Sequence, residues 1–131
     1  MARILLIDDE AAVRAGVARF LRSLGYDVLE ADGGMEGLRI VKRSRVDLVI
    51  TDINMPDVDG IEVILALGAD FPGIPVIAIS GGGLMPKDIL LSSAHLLGAL
   101  TTLSKPFDLA ELAEAVGAAL ARTPSGTGDP S

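Results

Sequence analysis

Several residue types that carry common protein chemistry are absent or rare in this sequence. There is no cysteine and no tryptophan, and aromatic residues make up 3% of the chain. Without cysteine, neither disulfide bonds nor thiolate metal sites can form. The one histidine, His95, lies in an apolar segment, which argues against a zinc site or a histidine-based catalytic triad. Any site chemistry must therefore rest mainly on oxygen ligands and lysine.

Positive charge is also scarce. The chain has 11 Lys and Arg against 18 Asp and Glu, which gives a net charge of -7. Nucleic-acid binding depends on clustered Lys and Arg, so direct contact with nucleic acid is not expected. No apolar run reaches the roughly 18 residues of a membrane span, and no signal-peptide pattern precedes the first strand. We therefore expect a cytoplasmic protein with neither membrane nor nucleic acid as a partner.

Strand and helix patterns alternate along the chain, and the 131 residues suit one domain. Val, Ile and Leu runs predict strands at residues 3–8, 26–31, 46–51, 75–79 and 100–103. Helical spacing predicts helices at residues 10–24, 35–43, 61–69, within 86–97, and at 109–121. Such βα repeats imply an α/β fold with a parallel sheet covered on both faces. We predict a five-stranded doubly wound sheet with five helices, flavodoxin-like, in the order 2-1-3-4-5.

The predicted domain covers residues 1–121. Residues 122–131 have linker composition, and we expect a disordered tail or the start of a linker there.

Polar residues follow four of the predicted strands. The first strand ends in Asp8 and Asp9, Asp52 follows the third strand, Ser80 follows the fourth, and Lys105 comes two residues after the fifth. Ligands bind outside the carboxyl ends of the strands in open parallel sheets. Taken singly, Asp9 could cap a helix and Asp52 could be a turn residue. Those ordinary explanations do not account for the placement of all five at one edge of the sheet.

The residue types in this set suit phosphoryl chemistry. Adjacent carboxylates repel one another, so the site needs a cation or bound protons. Oxygen ligands favour a hard ion, and a shallow site suits Mg²⁺, which retains water and accepts phosphate oxygens. Lys105 would supply fixed positive charge, and Ser80 a hydrogen-bond donor, to the same anion. The set therefore suits formation of an aspartyl phosphate.

These residues resemble the receiver domain of bacterial two-component response regulators, over residues 1–121. The resemblance rests on Asp8, Asp9, Asp52, Ile53, Asn54, Met55, Pro56, Gly60, Ser80, Lys105, Pro106 and Phe107. It implies that Asp52 takes a phosphoryl group from a histidine kinase or phosphotransfer protein. It also implies Mg²⁺ ligation by Asp9, Asp52 and the main-chain carbonyl of Asn54, with Asp8 acting through water. Lys105 would pair with a phosphoryl oxygen.

The resemblance further implies a conformational switch. Ser80 would be the switch hydroxyl, Gly81 would begin the loop that moves with it, and Pro106 would follow a cis peptide bond. Family members usually carry Tyr or Phe three residues before the lysine, whereas this chain has Thr102. Switching must then proceed through the backbone or a smaller side chain.

Residues 84–103 are strongly apolar, which favours a buried or interface position. The resemblance implies that partners and dimers use the face made by the fourth helix, fifth strand and fifth helix. We therefore expect a protein-binding face within residues 84–121, which could serve a downstream target, an output domain or a homodimer. Two rivals remain open. One is a small Mg²⁺-dependent phosphohydrolase, although Asn54 stands where a second carboxylate is usual. The other is a degenerate receiver that acts without phosphorylation. We do not expect an enzyme that turns over an external metabolite.

Overall fold

The structure is a computed structural model that describes residues 1–53, 60–80, 101–105 and 107–121. Within these ranges it contains five strands and four helices. They are β1 (Arg3–Ile7), α1 (Ala11–Ser23), β2 (Asp27–Ala31), α2 (Gly34–Arg43), β3 (Leu48–Asp52), α3 (Gly60–Asp70), β4 (Val76–Ser80), β5 (Thr101–Ser104) and α4 (Leu109–Ala121). The helix predicted within 86–97 and the predicted tail at 122–131 lie outside the described residues.

The strands form one parallel sheet in the order β2-β1-β3-β4-β5, which confirms the predicted fold class and strand order. The chain adds β2 on one side of β1 and then crosses to add β3 on the other side. This reversal makes the carboxyl ends of β1 and β3 the switch point of the sheet, where such folds bind ligands. The residues that follow these two strands are therefore placed next to each other by topology.

Each face of the sheet carries its own hydrophobic core, because successive strand residues point to opposite faces. On one face, Leu5 and Ile7 pack with residues of α2 and α3. On the other face, Ile4 and Leu6 pack with residues of α1 and α4. All four strand residues are almost completely buried. The strand ends that carry the polar residues are thus held by packing on both sides.

The strand ends differ by one or two residues from the prediction. β3 begins at Leu48 and includes Asp52, because Asp52 pairs with Ile79 in the ladder to β4. The amide of Ile53 continues that ladder by donating to the carbonyl of Ile79 over 2.8 Å. Asp52 is therefore fixed at the end of a paired strand and does not lie in the loop.

At two positions the backbone geometry favours glycine over any residue with a side chain. Gly25 has a φ of 97°, the left-handed conformation that follows many helix C-termini, and it comes directly after Leu24, the C-cap of α1. Gly37 lies where α2 crosses β1. A Cβ atom built there would come within 2.4 Å of Cδ1 and 2.9 Å of Cγ1 of Ile7. The helix can approach the strand this closely only because residue 37 has no side chain.

Candidate functional site

A single lysine joins three acidic side chains at the carboxyl end of the sheet. The Nζ atom of Lys105 lies 3.0 Å from Oδ2 of Asp52, 3.0 Å from Oε1 of Glu10 and 3.5 Å from Oδ2 of Asp8. Lys105 follows β5, whereas Asp52 ends β3, so the lysine side chain extends past the end of β4 to reach the carboxylates. The structure therefore brings together Asp8, Asp52 and Lys105, all of which the sequence analysis had selected.

The backbone around Asp8 is held on both sides. Its amide donates to the carbonyl of Ala31 over 3.1 Å, which extends the pairing of β1 with β2. Its carbonyl accepts a hydrogen bond of 2.7 Å from the guanidinium of Arg14. Its carboxylate Oδ1 accepts the amide of Glu10 over 2.9 Å. These bonds fix the direction of the carboxylate before any ligand binds.

Asp8 and Asp52 are both buried, with 4% and 5% of their surfaces exposed. Burial raises the pKa of Asp8, and the neighbouring Asp52 charge raises it further. The Glu10 amide and Lys105 oppose this shift without cancelling it, so the pKa of Asp8 stays above its usual value. Burial alone would lower the pKa of Lys105, but its hydrogen bonds to Asp52 and Glu10 raise that pKa overall. The lysine is therefore a permanent cation at this site.

The raised pKa of Asp8 leads to a stability prediction for Asp8→Asn. A folded-state pKa above the unfolded value near 3.8 means that folding favours the protonated acid. Ionised Asp8 therefore destabilises the metal-free protein as the pH rises above the unfolded value. We expect Asp8→Asn to stabilise the protein at pH 7 in EDTA, on the order of 1 kcal/mol. Thermal unfolding followed by circular dichroism measures this difference.

The advantage of Asp8→Asn should shrink when the pH is lowered to about 3.5, where the wild-type carboxyl is itself protonated. Asp32→Asn is the matched control, because Asp32 follows β2 at the same edge of the sheet but is exposed. A variant less stable than the wild type at pH 7 would contradict this account of Asp8.

The donor set fits a hard divalent cation. Asp8, Glu10 and Asp52 each offer one carboxylate oxygen, and these oxygens lie within 4.8 Å of one another. Oxygen ligands of this kind suit Mg²⁺. Asp9, which was predicted to ligate the ion directly, is exposed and does not belong to this group. Its predicted role stays a prediction.

Glu10 is the residue that the sequence analysis missed. It follows Asp8 and Asp9 directly, and a third consecutive acid was the available signal. It was assigned only to the start of the first helix, and it is indeed the N-cap of α1.

The other predicted site residues are placed as follows. Ser80 is the last residue of β4 and pairs with Ser104 of β5. Thr102 lies in β5 opposite Ala78 and is half-buried. The predicted roles of Asn54, Gly81 and Pro106 concern residues that lie outside the described ranges.

Sequence comparison identifies the family of this chain. The family model described as the response regulator receiver domain matches residues 4–117. The chain belongs to the response regulator receiver family. This receiver is similar to a crystal structure of a receiver domain protein from Clostridium thermocellum, with a TM-score of 0.86 and 32% identity, covering 93% of this chain and 96% of that one.

The curated relatives of this chain include both short and long proteins. Sporulation initiation phosphotransferase F of Bacillus subtilis is 35% identical over 87% of this chain and 90% of its own length. Transcriptional regulatory protein GlrR of Escherichia coli is 35% identical over 96% of this chain, which spans only 28% of GlrR. No helix in the described parts of the receiver is long and apolar enough to cross a membrane.

Proposed function

We propose that this receiver accepts a phosphoryl group on Asp52 in a Mg²⁺-dependent reaction and passes the signal on by protein contact. The main support for this proposal is the environment of Asp52. The Asp52 carboxylate is buried at the switch point of the sheet, with Oδ2 held 3.0 Å from a permanently charged ammonium. A carboxylate that lies beside a fixed cation and a second buried acid suits nucleophilic attack on an anionic phosphoryl donor.

In the proposed reaction, an oxygen of Asp52 attacks the phosphorus atom while the bond from phosphorus to the donor breaks. With a phosphohistidine donor, the electron pair of that bond returns to the imidazole nitrogen. The oxygens of the transferred group carry the negative charge, so positive charge placed close to them stabilises the transition state. Lys105 can supply this charge by turning from Asp52 toward a phosphoryl oxygen.

Asp8, Asp52 and Glu10 are the described residues that could hold Mg²⁺, and we retain Asp9 and the Asn54 carbonyl as proposed ligands. When bound, the ion would neutralise the acidic cluster and charge on the phosphoryl oxygens. The role of this chain is to hold its carboxylates in place beforehand. The hydrogen bonds to the backbone and carboxylate of Asp8 do so on the β1 side, and the β3–β4 ladder does so for Asp52.

The proposed phosphoryl donor is a histidine kinase or a phosphotransfer protein, and the proposed receiver domain is residues 1–121. The signal would pass to a downstream protein or an output domain, with the 84–121 face as the contact surface and a homodimer as one form. Relatives such as GlrR, of which the chain spans about a quarter, support an attached output domain. The net charge of -7 does not favour nucleic-acid contact by this domain itself. We do not propose turnover of an external metabolite.

Intact-mass spectrometry tests the proposal most directly. The protein is incubated with acetyl phosphate and Mg²⁺, and a parallel sample contains excess EDTA. We expect a gain of about 80 Da, one phosphoryl group, only in the sample with Mg²⁺. Because rapid hydrolysis could remove the adduct, a further sample receives beryllofluoride, a stable phosphoryl mimic, and its binding is measured by calorimetry. Absence of both the adduct and the mimic complex would overturn the proposal in favour of a phosphorylation-independent receiver.

A further inference from the structure

Three carboxylates share the Lys105 ammonium, but they differ in burial and distance. The side chains of Asp8 and Asp52 are each 6% exposed, whereas that of Glu10 is 59% exposed. The ammonium lies 3.0 Å from Asp52 and from Glu10, but 3.5 Å from Asp8. It is thus closer to the exposed Glu10, which forms the rim of the site, than to the buried Asp8 that follows β1.

The backbone of Glu10 is held by two hydrogen bonds, one of which also orients Asp8. Its amide donates to Oδ1 of Asp8, and its carbonyl accepts the first helical hydrogen bond of α1, from the amide of Arg14. The backbone of Glu10 is therefore anchored, while its exposed side chain can change rotamer at little cost. Such a residue can hold a neighbouring ammonium and release it again.

We infer that Glu10 is a positioning residue that acts through Lys105, holding its ammonium at the rim so that a divalent cation can bind Asp8 and Asp52. The inference rests on the proposed function, because the cation belongs to that site. Without an acceptor at the rim, the ammonium would turn its donors toward the two buried acids. It would then compete with the cation for the same oxygens, because both carry positive charge into one acidic cluster.

Direct ligation is the alternative role for Glu10, because its carboxylate lies within the same 4.8 Å group as Asp8 and Asp52. The two roles predict different behaviour once the lysine is removed. A residue that acts through Lys105 loses its influence in a variant without that lysine. A direct ligand retains its influence there.

A double-mutant cycle on Mg²⁺ affinity separates the two roles. The dissociation constant for MgCl₂ is measured by isothermal titration calorimetry for wild type, Glu10→Gln, Lys105→Met and the double variant, without any phosphoryl donor. We expect Glu10→Gln to weaken binding roughly threefold to fivefold, the range of a partly exposed ion pair. Lys105→Met should tighten binding, and adding Glu10→Gln to it should change the affinity less than about 1.5-fold.

Two further variants control for charge and reach. Glu36→Gln makes the same change in net charge at an exposed ion pair with Arg39 of α2, and it should leave the affinity unchanged. Glu10→Asp keeps the charge but shortens the side chain by one methylene, so it should resemble Glu10→Gln. Circular dichroism in EDTA shows that each variant is folded before titration.

An equal loss of affinity from Glu10→Gln with and without Lys105 would overturn the inference in favour of direct ligation. Wild-type affinity in Glu10→Gln, or no gain in Lys105→Met, would overturn it as well. Each of these outcomes concerns Mg²⁺ affinity only. Phosphorylation of Asp52 in the wild type is measured separately by intact mass, so a failure of this inference can be told apart from a failure of the proposed function. If the wild type bound no Mg²⁺ and accepted no phosphoryl group, both would fail together.

Discussion

Asp52→Asn is expected to abolish the phosphoryl adduct completely while leaving the fold in place. The amide has nearly the same shape as the carboxylate, and its oxygen can still accept the hydrogen bond from Lys105, which lies 3.0 Å from Oδ2 in the wild type. It is not a nucleophile toward phosphorus, because the lone pair on its nitrogen is delocalised into the carbonyl. Intact mass after incubation with acetyl phosphate and Mg²⁺ should therefore show the gain of about 80 Da in the wild type and not in the variant.

Asp32→Asn is the matched control for this experiment as well. Asp32 follows β2 and is exposed at the same edge of the sheet, so the variant should retain the full adduct. The adduct should also be lost on treatment with hydroxylamine, because an acyl phosphate is cleaved by this nucleophile whereas a phosphoserine is not. Persistence of a hydroxylamine-resistant adduct in Asp52→Asn would move the acceptor to another residue.

Gly37→Ala is expected to destabilise the protein by about 1–3 kcal/mol, the usual cost of overpacking a core. The new methyl group would meet the side chain of Ile7 at 2.4 Å and 2.9 Å, and one of the two must move. Ile7 is 1% exposed, and its strand position is paired on both sides, to Ala31 of β2 and Thr51 of β3. The melting temperature should fall by roughly 4 °C for each kcal/mol in a domain of this size.

Gly117→Ala, in α4, is expected to have the opposite effect and to stabilise the protein. A Cβ atom at Gly117, in α4, would meet nothing within 4 Å. Alanine has the higher helix propensity, so this variant should gain about 0.5–1 kcal/mol. Adding Ile7→Val to Gly37→Ala removes the Cδ1 atom at 2.4 Å and should recover part of the loss. If Gly37→Ala were as stable as Gly117→Ala, α2 could not be as tightly packed on β1 as the structure shows.

Much of the fold could be predicted because local sequence and global topology agree. β1, β3 and β4 are short runs rich in Val, Ile and Leu that suit burial on both faces, and the last helix has the predicted bounds, Leu109–Ala121. Strand ends were less predictable, because Asp52 joins β3 through ladder bonds to β4 and not through its own preference. Gly37 could not be recognised as a contact site either. The atom that a Cβ there would strike belongs to Ile7, thirty positions earlier in the chain.

The site residues also differ in how far the sequence predicts their contacts. Asp8, Asp52 and Lys105 could be brought together by strand order alone, because each lies at the carboxyl end of a strand of known position in the sheet. Glu10 could not, because its contact depends on the rotamers of two long side chains. Those side chains approach each other only after the fifth strand has joined the sheet.

The reach of Lys105 past β4 also bears on the order in which the protein is made. Its contacts with Asp52 and Asp8 close chain separations of 53 and 97 residues, so they are among the last to become possible during synthesis. A nascent chain that ends before β5 holds its carboxylates without the ammonium that partners them. Contacts this distant along the chain also form slowly, because loop closure precedes any gain from them. In the proposed mechanism, the phosphorylation site is complete only when the last strand is in place.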